Sequence, residues 1–468
     1  MTCRTSRRKA LQIAAAGGAS YWILAHSRSA RSYWANEKLN VALVGVGNRG
    51  RGFLSAIPRV GENLVAVCDA NRNRLAEAAG KVPQARHHQD FRKMLDAMDR
   101  QIDALVIATP EHTHAVIGAR AMKRGKHVYI EKPIAHDVWE ARQLRQLARR
   151  HKVASQMGNQ GMATDSFRRT LELVREGAVG EIREVYVWYV FGGSGRIQRP
   201  QERPPVPEYL DWDLFLGPAP QRPFHPSYLT GWGAWRDFAT GCLGGGGSHS
   251  INLAFKGLRL GELWENEKPR AQIRVETEVP EPTPEGFPRW QIVRFDIPAR
   301  GPLPPVRIHW YNAPEEELRA QGIWQRLEKI AGRDLVWNDN SWTPHSGTLL
   351  VGSKGVVHTN AHNSVCALLP AEAFPDSGGP PRKLPRAPAH GEHGVPGHER
   401  EWIQACKGGP TPFSCFDHSG PAMELLLLGN VASLVLRPLE FDPLAMKITN
   451  SPEADRLLQP ERRQGWEL

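Results

Sequence analysis

An apolar run of strand length, Leu39-Asn40-Val41-Ala42-Leu43-Val44, leads without a break into Gly45-x-Gly47-x-x-Gly50. This pattern marks a strand that turns tightly into a helix whose N-terminus faces an anion. The first glycine permits the turn, the second lets backbone approach a pyrophosphate, and the third lets helix and strand pack closely. Asn48 and Arg49 lie at the helix start, where free N–H groups hold phosphate oxygens. Leu64–Cys68 reads as a second strand ending at Asp69, about 20 residues beyond the last glycine, where a carboxylate accepts from the adenosine ribose hydroxyls. Such a carboxylate repels a 2′-phosphate, so the expected cofactor is NAD; Arg72 and Arg74 keep NADP as the alternative.

The chain then alternates helical and strand patterns. Helices are expected from Arg72 to Gly80 and from Asp90 to Met98. The β-branched run Ile102–Ala108 reads as a buried parallel strand. It ends at Thr109-Pro110-Glu111-His112-Thr113-His114, where an open α/β sheet places its ligand contacts. A helix from His114 to Arg124 leads to the strand Val128–Ile130, which ends in Glu131-Lys132-Pro133, and a basic helix follows from Val138 to His151.

Taken together, the glycine fingerprint, Asp69, Thr109-Pro110 and Glu131-Lys132-Pro133 resemble the Gfo/Idh/MocA oxidoreductases. Asn159-Gln160-Gly161, Asp211-Trp212, Leu216-Gly217-Pro218 and Trp402-Ile403-x-x-Cys406 resemble one bacterial branch of them, whose members are often exported. The resemblance runs over residues 39–442. It implies a Rossmann-type α/β N-terminal domain plus an α+β C-terminal domain with a large, mainly antiparallel open sheet. It also implies action on sugars or polyols, a catalytic Lys132 and a cis bond before Pro133. The cofactor-binding set it suggests is Gly45, Gly47, Asn48, Arg49, Gly50, Asp69, Thr109, Pro110, His112, Glu131, Lys132 and Gln160. The chemistry of Lys132 agrees, because a partly desolvated lysine beside a positive nicotinamide ring is a usable proton shuttle.

The remainder reads as a second domain. After a helix from Asp165 to Glu176, the strand Glu184–Phe191 is apolar on both faces, so it must be covered by its own helices and by a partner subunit. A homodimer or homotetramer is expected from it. Later runs at Ala271–Thr277, Trp290–Ile297, Val306–Tyr311 and Thr348–Val351 alternate like antiparallel strands. Arg199–Pro207 and Pro375–Pro396 read as loops, and the apolar Ser419–Leu436 as a core or interdomain helix.

The segment Trp232–Asn252 carries the second-domain chemistry. Ser248 is a candidate N-cap that puts His249 in the first turn of a helix. By the resemblance, His249 faces the substrate and shares acid/base work with Lys132. Two departures stand out: Gly245 and Asn252 occupy positions where the family and its branch carry aspartates. Trp235 and Arg236 offer a stacking face and a donor for a sugar ring, Asp237 a compensating carboxylate, and Asn252 a polar contact, which completes the substrate-binding set with His249.

The formal charge of +11 does not point to nucleic acid. Residues 1–30 hold Arg4, Arg7, Arg8, Lys9 and Arg28 with no acid, and the remaining +6 is scattered. Ser6-Arg7-Arg8-Lys9 before a mildly apolar run resembles a twin-arginine export signal, so residues 1–30 are expected to be a signal peptide and the mature protein periplasmic. That apolar run is too short and glycine-rich for a membrane span. The expected units are then 39–158 for nucleotide, 159–442 for substrate and oligomerisation, and 443–468 as a C-terminal tail. Cys68, Cys242, Cys366, Cys406 and Cys415 lack metal-type spacing, and no metal is expected. Three functions follow: an exported NAD(P)-dependent oxidoreductase of a sugar, polyol or glycoside with tightly held cofactor, an NAD-dependent glycoside hydrolase or lyase working by transient oxidation and elimination, and a non-catalytic sugar-binding protein that keeps its nucleotide.

Overall fold

A computed structural model describes residues 37–196, 198–265, 271–338, 343–374, 382–387 and 397–468. The expected signal peptide, residues 1–30, and most of the 375–396 loop lie outside the described residues.

Six parallel strands build the first sheet: β1 (Asn40–Val44), β2 (Asn63–Cys68), β3 (Arg86–His88), β4 (Ala104–Ile107), β5 (His127–Glu131) and β6 (Ser155–Gly158). Their spatial order is β3-β2-β1-β4-β5-β6, the doubly wound arrangement whose strand order reverses beside β1. Helices α1 (Asn48–Arg59), α2 (Arg72–Ala79), α3 (Phe91–Met98), α4 (His114–Lys123) and α5 (Val138–His151) connect them. Asn71 caps α2 and Asp90 caps α3 by accepting first-turn N–H groups, which explains why those helices start where they do. β1, β4 and β5 are buried almost throughout, as strands covered on both faces must be. The short β3 was not expected from sequence; Arg86-His87-His88 has no apolar signal.

After α6 (Asp165–Arg175) comes a nine-stranded sheet of β7 (Ile182–Tyr189), β8 (Ile273–Glu278), β9 (Gln291–Ile297), β10 (Val306–Asn312), β11 (Gly347–Gly352), β12 (Val356–Asn360), β13 (Cys366–Leu369), β14 (Leu439–Asp442) and β15 (Lys447–Ile448). The order is β13-β12-β11-β7-β10-β9-β8-β14-β15, antiparallel except for β7 against β10. One face of β7 presents Val185, Val187 and Tyr189 to the main core. The other presents Tyr186 and Trp188 to α7 (Glu315–Ala320) and α8 (Ile323–Ala331), through Leu318, Trp324 and Leu327. The chain's own helices therefore cover the face for which a partner subunit was expected. Beyond them the same face carries ion pairs along β8–β10, Arg294–Glu278 and Arg307–Asp296 among them.

Two further helices, α9 (Gly397–Cys406) and α10 (Phe416–Val435), return to the first domain. α10 is apolar around its whole circumference because it lies between α5 and the second sheet, and one core runs through both domains. A bidentate pair from Arg142 on α5 to Glu424 on α10, 2.7 Å at each bond, fixes their register, and Trp264 donates to the same carboxylate at 2.8 Å. With every oxygen paired, removing either charge would cost about 3–5 kcal/mol. The five cysteines named above are all free thiols. No helix among the described residues is long and apolar enough to cross a membrane.

Candidate active site

A cavity of about 1280 Å³ opens along the carboxyl ends of β1, β2, β4 and β5 and reaches into the second domain. Its first half is built by the β1–α1 turn. Gly45 has φ +87, and a Cβ there would lie 2.6 Å from the Ala108 carbonyl carbon and oxygen. Only glycine suits both the conformation and the contact. A Cβ on Gly50 would lie 1.9 Å from the Gly45 carbonyl oxygen, so this glycine serves helix–strand packing under the turn and does not line the cavity. Gly47, Asn48 and Arg49 do line it, at a helix start with no side-chain cap on its N–H groups. Asp69 accepts from the N–H of Val46 (3.0 Å) and of Asn71 (2.9 Å), which ties the end of β2 to the glycine turn. Burial raises its carboxyl above the ordinary value, against Asn71, the Arg74 charge and Val46. Arg74 lies beside Gly47 and lines the same wall.

Trp466 closes this half, from a part of the chain that sequence reading leaves as a tail. It packs on Phe91 with ring centroids 6.1 Å apart, and the Arg92 guanidinium sits over its ring at 4.6 Å. Arg462 anchors the tail on Asp137, while Arg463 bonds to Asp213 at 2.7 Å.

The second half holds Glu111, Lys132, Gln160, His249 and His362. Thr109, Pro110, Glu131 and Lys132 line the cavity as expected strand-end residues, and the Lys132–Pro133 peptide is cis. His114 bridges the strand ends, with ring nitrogens 2.8 Å from the Thr109 carbonyl and 2.7 Å from that of Pro133. Arg49 crosses from the glycine turn and donates to Glu131 (2.8 Å) and Glu399 (3.3 Å). Gln160 completes this cluster, its carbonyl accepting from Arg49 at 2.6 Å and from the Tyr129 hydroxyl at 3.0 Å. Glu399, at the start of α9, also takes the Tyr129 hydroxyl at 3.5 Å, and burial pushes its carboxyl up to about 7.

His249 is buried, with its ring edge-to-face on His362 at 4.6 Å and no hydrogen bond at Nδ1. Burial first, then the charges of Lys132 and His362, hold it well below the ordinary histidine value. The imidazole is therefore neutral, the form that accepts a proton. Ser248 is not an N-cap: it lies inside the helical piece Gly247–Ser250, and its hydroxyl donates to the Gly245 carbonyl at 3.0 Å.

Five other sequence candidates lie outside this cavity. His112 is buried, with Nε2 on the Phe215 carbonyl at 2.9 Å and its ring against Phe238. Trp235 is 1% exposed in a separate aromatic cluster. Arg236 donates to the Thr283 carbonyl (2.7 Å) and stacks on Phe287. Asp237 pairs with Arg222 and so does not replace a missing active-site carboxylate. Asn252 is used up internally: its amide donates to the Ser248 and His249 carbonyls, and its oxygen accepts from Asn159 and His418. The cavity-facing aromatic of that turn is Trp232. His362, Trp232, Glu111, Arg74 and Trp466 are among the lining residues that sequence reading did not single out as site residues.

Against known proteins, residues 39–159 match the family described as oxidoreductase family, NAD-binding Rossmann fold. The first domain belongs to the Gfo/Idh/MocA oxidoreductases. Curated relatives of this chain include a glycosyl hydrolase family 109 protein of Saccharopolyspora erythraea, 31% identical over 166 residues, which are 32% of this chain and 35% of that one. Another, from Akkermansia muciniphila, is 26% identical over 156 residues, 31% and 32% of the two chains. The chain thus spans about a third of the length of the curated relatives it matches. Solved structures share the fold over nearly their whole length. Levoglucosan dehydrogenase in complex with NADH and levoglucosan has TM-score 0.57 at 16% identity, covering 87% of this chain and 100% of that one. The WlbA dehydrogenase of Bordetella pertussis, in complex with NADH and UDP-GlcNAcA, has TM-score 0.55 at 18% identity, covering 85% and 97%.

Proposed function

We propose that this protein is an NAD-dependent oxidoreductase acting on a hydroxyl of a sugar, polyol or glycoside. The observation that carries this reading is a single cavity with the glycine turn and Asp69 at one end and Lys132 and His249 at the other. The residues present fit the nucleotide: the Gly45 position has no room for a side chain against the Ala108 backbone, Gly47 faces only the movable end of Arg74, and the α1 start has uncapped N–H groups. When bound, NAD supplies a hydride acceptor. The turn and Asp69 hold phosphate and ribose, and Asp69 disfavours a 2′-phosphate. Lys132 orients the reacting hydroxyl, and neutral His249 takes its proton as the C–H bond breaks.

A second reading has specific support from the glycosyl hydrolase family 109 relatives. In it the same residues would remove a hydroxyl proton as hydride leaves, the carbonyl formed would let the adjacent C–H lose its proton as the aglycone departs, water would add across the resulting double bond, and the hydride would return to the carbonyl. The deciding experiment denatures purified protein, identifies any released nucleotide by mass and absorbance, and then offers the native protein levoglucosan and a panel of p-nitrophenyl glycosides. One NAD per chain with net NADH formation supports the dehydrogenase; p-nitrophenol release without net NADH supports the hydrolase. Protein that neither carries nor binds NAD or NADP refutes both and leaves sugar binding.

The reading includes export of the folded, cofactor-loaded protein to the periplasm, motivated by Arg7-Arg8 and the run after them. Cytoplasmic fractionation of the full chain in a bacterium with an active twin-arginine system refutes that part. It also includes self-association as a homodimer or homotetramer. With Tyr186 and Trp188 covered, the sheet surface left for it is the ion-paired face of β8–β10. A monomeric mass by light scattering at micromolar concentration refutes it.

A further inference from the structure

The last residues of the chain fasten the nucleotide half of the cavity to both domains. Trp466, 3% exposed, lines the cavity together with Asp69, Gln89 and Phe91. Beside it lies the short helix Trp212–Leu216, which contributes Leu214 and Phe215 to the same lining. The stretch before that helix is laid against the end of β2. The N–H of Arg72 donates to the Tyr209 carbonyl at 2.8 Å, and the N–H of Asp211 to the Ala70 carbonyl at 3.0 Å. This segment of the second domain therefore borders the position of Asp69.

One residue ties the tail to that helix. Arg463 donates through Nε to the Gly217 carbonyl (2.8 Å), through Nη1 to Asp213 Oδ1 (2.7 Å) and Gln221 Oε1 (2.6 Å), and through Nη2 to the Asp213 carbonyl (2.9 Å). Only a planar fork of donors meets acceptors set that way. The Arg463 carbonyl in turn accepts from the N–H of Trp466 at 3.1 Å, so the same anchor places the indole. The ring abuts Gly217, where a Cβ would lie 3.7 Å from it. From the first domain, Arg120 of α4 donates to the Gly465 carbonyl at 3.1 Å, and Arg92 covers the ring.

We propose that residues 463–468 are a strap across the nucleotide site, and that Arg463 is its latch, a positioning residue that acts through Trp466. The site admits and releases nucleotide only when Arg463 lets go of Asp213, Gly217 and Gln221 and the indole moves out with the tail. The Asp213 side chain is 65% exposed, so the latch can open without unfolding either domain. A latch raises the barrier in both directions. Its loss speeds entry and release alike, whereas loss of a simple contact speeds release alone. The inference rests on the nucleotide reading of the cavity and on neither proposed activity.

The test uses the full chain, stripped of nucleotide with charcoal, and follows energy transfer from tryptophan to bound NADH in stopped flow. Mixing with NADH gives the entry rate, and chasing bound NADH with excess NAD gives the release rate. In R463A both rates are expected to rise about tenfold, with Kd changing less than either. D213A opens the same latch from its exposed side, and is the variant to read should R463A not fold. A chain ending at Arg462, which keeps the Arg462 bond to Asp137, should move both rates the same way. Wild-type rates in folded R463A and D213A, or in the shortened chain, overturn the proposal, and so does release that quickens while entry does not. Absence of transfer from wild type to NADH and to NADPH refutes the nucleotide reading itself, and the proposal falls with it.

Discussion

Glu399 offers a prediction whose size follows from its surroundings. The carboxyl is buried at the α9 start, touches Arg49 and Tyr129 through one oxygen, and has no partner for Oε2. Burial raises it from 4.5 to about 7 despite Arg49, so the native protein holds this proton more tightly than the unfolded chain does. The stability it contributes is present in full below pH 4.5 and is lost as pH rises through about 7. At 1.36 kcal/mol per pH unit, ionising it should cost about 2.5 kcal/mol between pH 5 and pH 8. Glu399→Gln keeps an acceptor for Arg49 and Tyr129 but does not titrate. Urea unfolding of wild type and E399Q, each in paired buffers at pH 5 and 8, should therefore show the variant gaining about 2.5 kcal/mol relative to wild type at the higher pH. Asp69, Glu111 and Glu424 are also raised by burial, so both proteins will lose stability with pH; only the difference between them tests Glu399. Parallel pH dependences would refute the reasoning, since they would mean Glu399 is ionised in the native state at little cost.

Four other substitutions test the outline of the cavity. Trp466→Ala removes the ring that Arg92 and Phe91 hold over the nucleotide half; bound NAD should leave about tenfold faster in a displacement experiment, equivalent to about 1.4 kcal/mol. Gly45→Ala forces a methyl group into the Ala108 carbonyl at a left-handed φ, and no nucleotide should be recovered from the purified variant by mass spectrometry. Trp232→Ala and Trp235→Ala should separate cleanly. The first should raise KM for a responsive glycoside with little change in melting temperature. The second should cost about 3–5 kcal/mol in denaturant unfolding while any folded fraction keeps its KM.

What could be read from the chain alone follows from the range of the forces involved. The β1–α1 turn, Asp69 and the strand ends at Thr109 and Glu131 are set by sterics within a few residues and by the rule that ligands sit at strand ends, so their spacing announces them. Trp235 and Trp232 differ by three positions in one turn, and no periodic signal there says which ring faces the core. The structure buries the first and turns the second to the cavity. The helix α8 did carry a signal, with Trp324, Leu327 and Ala331 at helical spacing, but the strands on either side masked it. Trp466 had none, because its neighbours Phe91 and Arg92 lie hundreds of residues away and the tail is held by its own Arg462 and Arg463 on Asp137 and Asp213.

Gly245 shows a different limit. In sequence it looks like the loss of a carboxylate, because a pattern assigns chemistry to positions. A site needs charge in a volume, and that volume is reached from β4 as readily as from the helix carrying Gly245. Thr240 supplies two short bonds that hold Glu111 there, and the open Gly245 position leaves space beside it. Asn252 reverses the case: its amide satisfies two carbonyls, a histidine and another amide, and an aspartate there would put an acceptor against two acceptors. One departure therefore leaves open space beside a buried carboxylate, while the other converts a polar position into helix support.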